Sequence, residues 1–352
     1  MTLSAGPSHS RRWRIAVCLL LIAATAWGAL ALWYPLHLGP AVRGVLVAGW
    51  VALGLATLSV VSRPDTWGSR AGRTLLALFA AGFALVLGSW LSLTPQHDRE
   101  WADDVSRLLA SEVAGDRVTL HNVRNFDWRT PTDYTPRWET REYDLAKLVS
   151  ADLVMSYWMG PAIAHTLVSF GFEDDSRVVF SLEIRKERDE SFSALGGLFR
   201  KFEQVIVAAD ERDIVRVRSN VRREDVYLYR LDIPPAQLRQ VFRGYLQQAA
   251  ALQHRPAFYN TMTSNCTTIL FVLARQIAPG LPLDYRLLLS GYFDRYAYDQ
   301  HALVPGQTMQ ALRMRGRITE RARAADDAVD FSVRIREGIP GMRRTGEMER
   351  TR

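Results

Sequence analysis

Apolar and polar positions divide the chain into a membrane-like N-terminal part and a mixed remainder. Three almost uninterrupted apolar stretches cover residues 15–34, 42–61 and 74–93. Each has about the 20 residues that an α-helix needs to cross the hydrocarbon core of a bilayer. The pattern therefore predicts three transmembrane helices, which form a membrane anchor over residues 1–95.

The arginines near these stretches give an orientation. They precede the first stretch and separate the second from the third, at Arg11, Arg12, Arg14, Arg63, Arg70 and Arg73. Because basic residues accumulate in cytoplasmic loops, we expect a cytoplasmic N-terminus. The chain after about residue 94 is then periplasmic or extracytoplasmic, and the protein is a multi-pass protein of the inner, or cytoplasmic, membrane.

The pattern changes from residue 96 onward to that of a globular domain. Residues 99–113 have apolar positions at helical spacing and predict an amphipathic helix. Strand-like runs follow at 153–158, 162–172, 177–186, 204–209, 213–221 and 226–233, and helical patterns at 234–253 and 266–278. We expect an α+β domain over residues 96–325 with an antiparallel sheet at its centre, and a charged tail over residues 326–352.

Composition excludes some classes of function. The net charge is +7, but no basic helix with interleaved aromatic residues stands out, so no nucleic-acid partner is expected. The acidic run at 210–213 has no histidine nearby and is interpreted as a solvated turn, so neither a metal nor another cofactor is expected. The two cysteines, Cys18 and Cys266, lie far apart in the sequence, and Cys18 lies in a predicted membrane span. They therefore cannot form a disulfide framework.

Cys266 follows the residues TSN and begins an apolar helical pattern. Thr263, Ser264 or Asn265 could cap this helix, which would put Cys266 in the first turn, where backbone amides are unpaired. The helix dipole there favours a thiolate. The free amides of Cys266 and Thr267 could stabilise an oxyanion.

A thiol nucleophile also needs a base, and His165 is the candidate because it stands in an apolar strand. Ser181 or Glu183, on one face of the next strand, could orient it, although Glu183 could instead pair with Arg185. Taken alone, a buried cysteine or a strand histidine is more often a packing residue. The polar loop residues Asn125 and Arg129 either line the pocket or form a loop network, and Tyr259 with Asn265 and Thr267 supports the site.

Several blocks in order resemble the Lnb N-terminal periplasmic domain family: RNFDWR, MSYWMGPAIAHTLVSFGF, SLEIRKE, VAADERDIVRVRSNVR, VYLYRL and FYNTMTSNCTTIL. The resemblance spans about residues 121–277. It implies a papain-like fold of the permuted NlpC/P60 type, in which the histidine precedes the cysteine. It also implies acyl transfer on lipoproteins by a Cys–His pair, here Cys266 as nucleophile and His165 as base. This chain departs from the pattern we associate with the family, because its three spans precede the domain.

The sequence hypothesis is a membrane-anchored thiol acyltransferase that acts on acyl esters of lipoproteins or lipids through an acyl-cysteine. Its expected partners are the bilayer and an acylated lipoprotein or lipid substrate. One alternative is a cell-wall peptide amidase or peptidase of the NlpC/P60 type. A second alternative is a membrane module without catalysis, in which the cysteine and the histidine only pack.

Overall fold

The structure is a computed structural model that describes residues 7–66, 68–326 and 328–342. The chain divides into two compact units. The first comprises Met1–Pro95 and Ser193–Phe202, and the second comprises Gln96–Phe192 and Glu203–Arg352.

The first unit contains the three predicted apolar helices. They are α1 (Pro7–Trp33), α2 (Pro40–Val61) and α3 (Arg70–Ser92). Within the described residues, three helices are long and apolar enough to cross a membrane. The prediction of three apolar helices is therefore confirmed.

Small residues let α1 and α2 approach closely. A Cβ atom on Gly28 would lie 2.5 Å from Trp50 Nε1, and Gly54 similarly faces the side chain of Thr25. The Trp50 indole donates to the Thr25 carbonyl at 2.9 Å and stacks on Phe79 with ring centroids 4.7 Å apart. Glycines that leave room for neighbouring side chains, together with aromatic packing, thus join the three helices.

Residues 193–202 also belong to the first unit and include the short helix α4 (Ala194–Leu198). The Phe199 ring lies 6.2 Å from the rings of Trp27 and Tyr34. Arg200 donates to the Trp90 carbonyl at 2.9 Å, and its guanidinium lies 4.0 Å from the centroid of the Trp90 ring. This segment therefore packs against the helices of the first unit.

A sheet forms the centre of the second unit. In the described part of the chain it has eight strands, in the order β1-β2-β9-β8-β7-β6-β10, and β5 pairs with β2. The strands are β1 (Ala110–Ala114), β2 (Arg117–Arg124), β5 (Trp138–Asp144), β6 (Leu148–Tyr157), β7 (Ala164–Phe172), β8 (Arg177–Arg185), β9 (Glu203–Ala209) and β10 (Asp225–Arg230). A separate ribbon pairs β3 (Asp127–Trp128) with β4 (Tyr134–Thr135).

The expectation of an antiparallel sheet needs a correction, because the sheet is mixed. Strand β2 pairs with β9 in parallel at Arg124 and Ala209. The other strand pairs in this sheet are antiparallel within the described residues. The parallel contact arises because the chain returns to β2 after the β6-β7-β8 meander instead of closing a hairpin on it.

Helices cover both faces of the sheet. One apolar core includes Phe170 and Phe180 of the sheet together with residues of α6 (Pro235–His254) and α7 (Cys266–Ile277). A second core joins strand residues such as Leu167 to α5 (Glu211–Arg216), α10 (Thr319–Ala324) and α11 (Phe331–Arg334). The remaining helices are α8 (Phe293–Asp299) and α9 (Met309–Gly316).

Two predicted elements are wrong. Residues 99–113 hold only a 3-10 turn, Asp103–Val105, before β1, because Ala110–Ala114 pairs with β2 in the sheet. Residues 213–221, predicted as a strand, form α5 and a π-helical turn, Val217–Val221. Asp210 caps this helix by accepting a hydrogen bond from the Arg212 amide at 2.9 Å.

The predicted tail is also wrong for its described residues. Phe331 and Ile335 are fully buried, and Arg336 enters the second core, where it binds Asp152 at 2.8 Å and Glu211. The buried cation is paired with two carboxylates, and this pairing offsets the cost of removing its charge from water. Residues 343–352 of the predicted tail lie outside the described residues.

Candidate functional site

The start of α7 is fixed by its N-cap. The Asn265 carboxamide oxygen accepts hydrogen bonds from the amides of Thr267 and Thr268, each at 2.9 Å, and the Thr268 hydroxyl accepts one from the Asn265 amide at 2.8 Å. This capping box makes Cys266 the first residue of the helix. Of the three cap residues that the sequence left open, the structure selects Asn265.

The cap changes the expected oxyanion site. The Thr267 amide is already engaged by Asn265, so it is not the free donor that the sequence predicted. The amide of Cys266 has no hydrogen-bond partner among the described residues. The Thr267 hydroxyl lies 3.9 Å from Cys266 Sγ, which places that side chain beside the thiol.

The turn before Cys266 is tied to the sheet. Asn260 and Ser264 exchange two backbone hydrogen bonds, at 2.9 and 3.2 Å. Gln204 on β9 donates to the Phe258 carbonyl at 2.8 Å and to the Ser264 hydroxyl at 2.5 Å. These bonds hold the polar turn and therefore the position of the thiol.

His165 lies on β7, where it pairs with Ser156 of β6. Its Nε2 atom lies 2.7 Å from Ser181 Oγ and 3.1 Å from Glu183 Oε1. The Ser181 hydroxyl also donates to Glu183 at 2.8 Å. Both candidate orienting residues therefore contact the same imidazole nitrogen.

Sequence reasoning missed a fourth member of this network. Arg218, in the π-helical turn, donates to Glu183 at 3.0 Å and to Glu224 at 3.4 Å. Glu224 in turn accepts a hydrogen bond from Ser156, the ladder partner of His165. Because residues 213–221 alternate like a strand, nothing in the pattern indicated that Arg218 approaches the histidine.

Cys266 and His165 stabilise each other in their charged forms, as a thiolate and an imidazolium. Burial raises the pKa of Cys266, but the attraction of His165 and a hydrogen bond to it prevail and lower that pKa to about 7. Burial likewise lowers the pKa of His165, but Glu183 and Cys266 outweigh burial and the repulsion of Arg218, and raise it to about 9. Between about pH 7 and about pH 9 the pair is therefore a thiolate and an imidazolium.

The carboxylate beside His165 is held ionised. Burial opposes its negative charge, but the cations His165 and Arg218 hold the pKa of Glu183 well below its usual range. Glu183 therefore stays charged and favours the protonated imidazole. The predicted alternative, a Glu183–Arg185 pair, is absent from the described contacts, because Arg185 instead donates to the carbonyls of Val105 and Ser106.

Thr166 is a second residue that sequence reasoning missed. Its hydroxyl is buried and has no hydrogen-bond partner among the described residues. The Thr166 side chain and backbone nevertheless favour the thiolate and contribute to the lowered pKa of Cys266. Tyr259 is also buried near the thiol, and its pKa is raised first by burial and then by the charges of Cys266 and Glu183.

Two predicted support residues lie elsewhere. Asn125 donates to Glu139 at 2.7 Å, and the exposed Arg129 binds Asp133 at 2.8 Å. Neither contacts His165 or Cys266 within the described part of the chain, so they form the loop network that the sequence left open. The described part of the chain contains no group of three or more His, Cys, Asp or Glu side chains that could hold a metal ion.

The three membrane-length helices and the α+β unit describe a membrane protein with a separate folded domain. Residues 134–291 match the model of the Lnb N-terminal periplasmic domain, and the chain therefore carries a domain of this family. The match includes His165, Glu183 and Cys266. Neither the curated proteins nor the solved structures gave a match to this chain.

Proposed function

We propose that the protein is a membrane-anchored thiol acyltransferase that forms an acyl-cysteine on Cys266. The observation that supports this most strongly is the coupled pair of a low-pKa thiol and a high-pKa imidazole at a helix start. A structural cysteine in an apolar core would have a raised pKa instead. The family match adds a membrane-associated, extracytoplasmic setting for this chemistry.

The acylation step uses His165 as an acid. The thiolate of Cys266 attacks the carbonyl carbon of an ester, and the carbonyl electron pair moves to oxygen. The unpaired Cys266 amide donates to this oxyanion. When the intermediate collapses, the carbon–oxygen ester bond breaks and the departing alkoxide takes the proton of His165.

The deacylation step uses the now neutral His165 as a base. An amine attacks the thioester carbon while His165 accepts a proton from it, and the carbon–sulfur bond breaks to restore the thiolate. Ser181 and Glu183 fix the orientation of the ring through Nε2 and stabilise its charge in each half-reaction. The papain-like arrangement, with a cysteine at a helix start and a histidine on the sheet, is part of this proposal.

Mass spectrometry of the full-length protein with a diacylated lipopeptide tests the proposal. We expect an acyl adduct on Cys266 and transfer of the acyl chain to the lipopeptide amine. Cys266→Ala should lose both products, whereas Cys18→Ala, which removes the other thiol, should retain them. Acyl transfer would be refuted if no ester tested gives an adduct. It would also be refuted if the wild type cleaves cell-wall peptides and Cys266→Ala does not.

A further inference from the structure

Three hydrogen-bond donors converge on a single carboxylate oxygen beside His165. Glu183 Oε1 lies 3.1 Å from His165 Nε2 and 2.8 Å from Ser181 Oγ. Arg218 Nη2 donates to the same oxygen at 3.0 Å, and the arginine is buried, with only 6% of its surface exposed. The Arg218 guanidinium and the His165 imidazolium therefore share one acceptor atom.

The position of Arg218 is fixed by its backbone and by a second carboxylate. It stands in the π-helical turn Val217–Val221, a type of turn that is frequent at functional sites. Its Nη1 atom lies 3.4 Å from Glu224, which accepts a hydrogen bond from Ser156. Its Nε atom is buried without a hydrogen-bond partner among the described residues. The side chain is therefore placed by the contacts of its two terminal nitrogens.

Other charged groups act on the pair less directly. Arg124 also attracts Glu183, but it is already bound to Asp213 through two hydrogen bonds of 2.8 and 3.1 Å. By contrast, Arg218 donates directly to Glu183. The charged and titratable side chains that act on His165, Glu183 or Cys266 from the surrounding elements are Arg124, Arg218, Arg222, Glu224, Tyr245 and Tyr259.

The acylation step depends on the acid strength of His165. After the thiolate attacks an alkyl ester, the tetrahedral intermediate can expel either the sulfur or the alkoxide. A thiolate of low pKa leaves readily, so the alkoxide departs only if its oxygen is protonated as the carbon–oxygen bond breaks. Because Nε2 of His165 is engaged by Ser181 and Glu183, the proton comes from Nδ1. An imidazolium that Glu183 held too tightly would send the intermediate back to the free ester.

We propose that Arg218 is a positioning residue that shares Glu183 with His165 and so keeps the imidazolium able to protonate the departing alkoxide. The inference rests on the proposed function and adds a residue to its acid step. Burial lowers the pKa of His165, Glu183 raises it, and the repulsion of Arg218 lowers it again. In the step itself the ester carbon–oxygen bond breaks, the alkoxide takes the Nδ1 proton, and a neutral imidazole remains.

Acylation of Cys266 by two esters tests the proposal on the full-length protein in detergent. Ethyl hexanoate needs a proton on its leaving group, whereas p-nitrophenyl hexanoate releases a stable phenolate. The variant is Arg218→Gln/Glu224→Gln, which removes both charges of a buried ion pair. We expect acylation by ethyl hexanoate to fall by about three- to tenfold, because a weaker acid transfers its proton more slowly. Acylation by p-nitrophenyl hexanoate should change by less than about twofold, which also shows that the variant folds.

The pH dependence of Cys266 alkylation gives a second readout that requires no acyl transfer. Without Arg218 the imidazolium is more stable, and it stabilises the thiolate down to lower pH. In a Cys18→Ala background we therefore expect the midpoint of iodoacetamide alkylation to move below its wild-type value of about 7. An arginine that only held Glu183 in place would give the opposite result, because a displaced Glu183 would raise the midpoint.

Arg216→Gln/Asp326→Asn is the matched control. It neutralises an ion pair of 2.8 Å in the helix directly before the π-helical turn and should behave like the wild type in both assays. The proposal is overturned if Arg218→Gln/Glu224→Gln loses activity equally with both esters or keeps full activity with ethyl hexanoate. It is also overturned if the alkylation midpoint stays the same or rises. If neither ester acylates the wild type, acyl transfer itself fails, and the alkylation midpoint still decides whether Arg218 acts on the pair.

Discussion

Replacement of Glu183 by Gln tests the electrostatics of the candidate site most directly. The change keeps the shape of the side chain but removes the negative charge beside His165 Nε2, which lies 3.1 Å from Glu183 Oε1. Without this charge, and with the Arg218 cation still nearby, the imidazolium is less stable. Since the imidazolium stabilises the thiolate, we expect the pKa of Cys266 to rise.

The structure gives the size of the effect. The pKa of His165 rises from an ordinary 6.5 to about 9. At about 1.4 kcal/mol per pKa unit, its surroundings favour the charged ring by roughly 3 kcal/mol. Glu183 is the largest favourable contribution. In the limit where this stabilisation is lost, the pKa of Cys266 rises from about 7 to at least its ordinary value of 9.0, because burial alone raises it, and 9.0 is therefore a lower bound.

Reaction rates follow from these pKa values. At pH 7 the thiolate fraction would fall from about one half to about 1%. A thiolate of higher pKa is also more nucleophilic, by roughly eightfold over this range. The alkylation rate at pH 7 should therefore fall only about sixfold, and the midpoint of the pH profile is the more sensitive measurement.

The assay is iodoacetamide alkylation between pH 5 and 10 in a Cys18→Ala background, so that Cys266 is the only thiol. We expect a midpoint near 7 for this protein and a midpoint displaced toward 9 for Glu183→Gln. Glu142→Gln makes the same chemical change at an exposed position and should leave the midpoint unchanged. A midpoint near 9 before any substitution, or no displacement in Glu183→Gln, would refute the ion pair.

Two further substitutions test other parts of the structure. Thr166→Val should raise the pKa of Cys266 less than Glu183→Gln does. It should change the free energy of unfolding by less than about 1 kcal/mol, since the hydroxyl has no hydrogen-bond partner among the described residues; a loss above about 2 kcal/mol in urea denaturation would contradict this. Arg336→Gln should cost about 3–5 kcal/mol in the same assay, because the buried Glu211 loses its ion-pair partner and the buried Asp152 keeps only Arg177 and Arg230. The exposed pair of Arg334 is the control, and Arg334→Gln should cost under about 1 kcal/mol; equal losses would show that the C-terminal segment is not held by Arg336.

Local pattern predicted the parts of the site that depend on local structure. Alternation along β8 placed Ser181 and Glu183 on one face, and both contact His165. Arg218 and Thr166 were not predictable in this way. Arg218 reaches the network only because a valine-rich alternating segment folds as a helix with a π-helical turn, and the role of Thr166 depends on where α7 crosses the sheet.

The same reasoning explains the errors at the two ends of the second unit. Residues 99–113 have helical periodicity, but Ala110–Ala114 pairs with β2 in the sheet. This long-range pairing prevails over the local pattern. The segment around Arg336 looked like a tail because it contains few large apolar residues. Its burial depends on Asp152 and Glu211, which lie more than a hundred residues away in sequence. A local sequence pattern cannot predict such a distant partner.

The source of thiolate stabilisation differs from the one that the sequence suggested. Unpaired amides at the helix start were expected to stabilise the sulfur anion, but Asn265 occupies the amides of Thr267 and Thr268. The remaining stabilisation comes mainly from the strand, through the charge and hydrogen bond of His165, with a smaller contribution from Thr166. The capping box thus fixes where the sulfur lies, and the sheet determines its charge. Because the one unengaged amide, that of Cys266, is not consumed by the cap, it is left for the oxyanion that the proposed reaction creates.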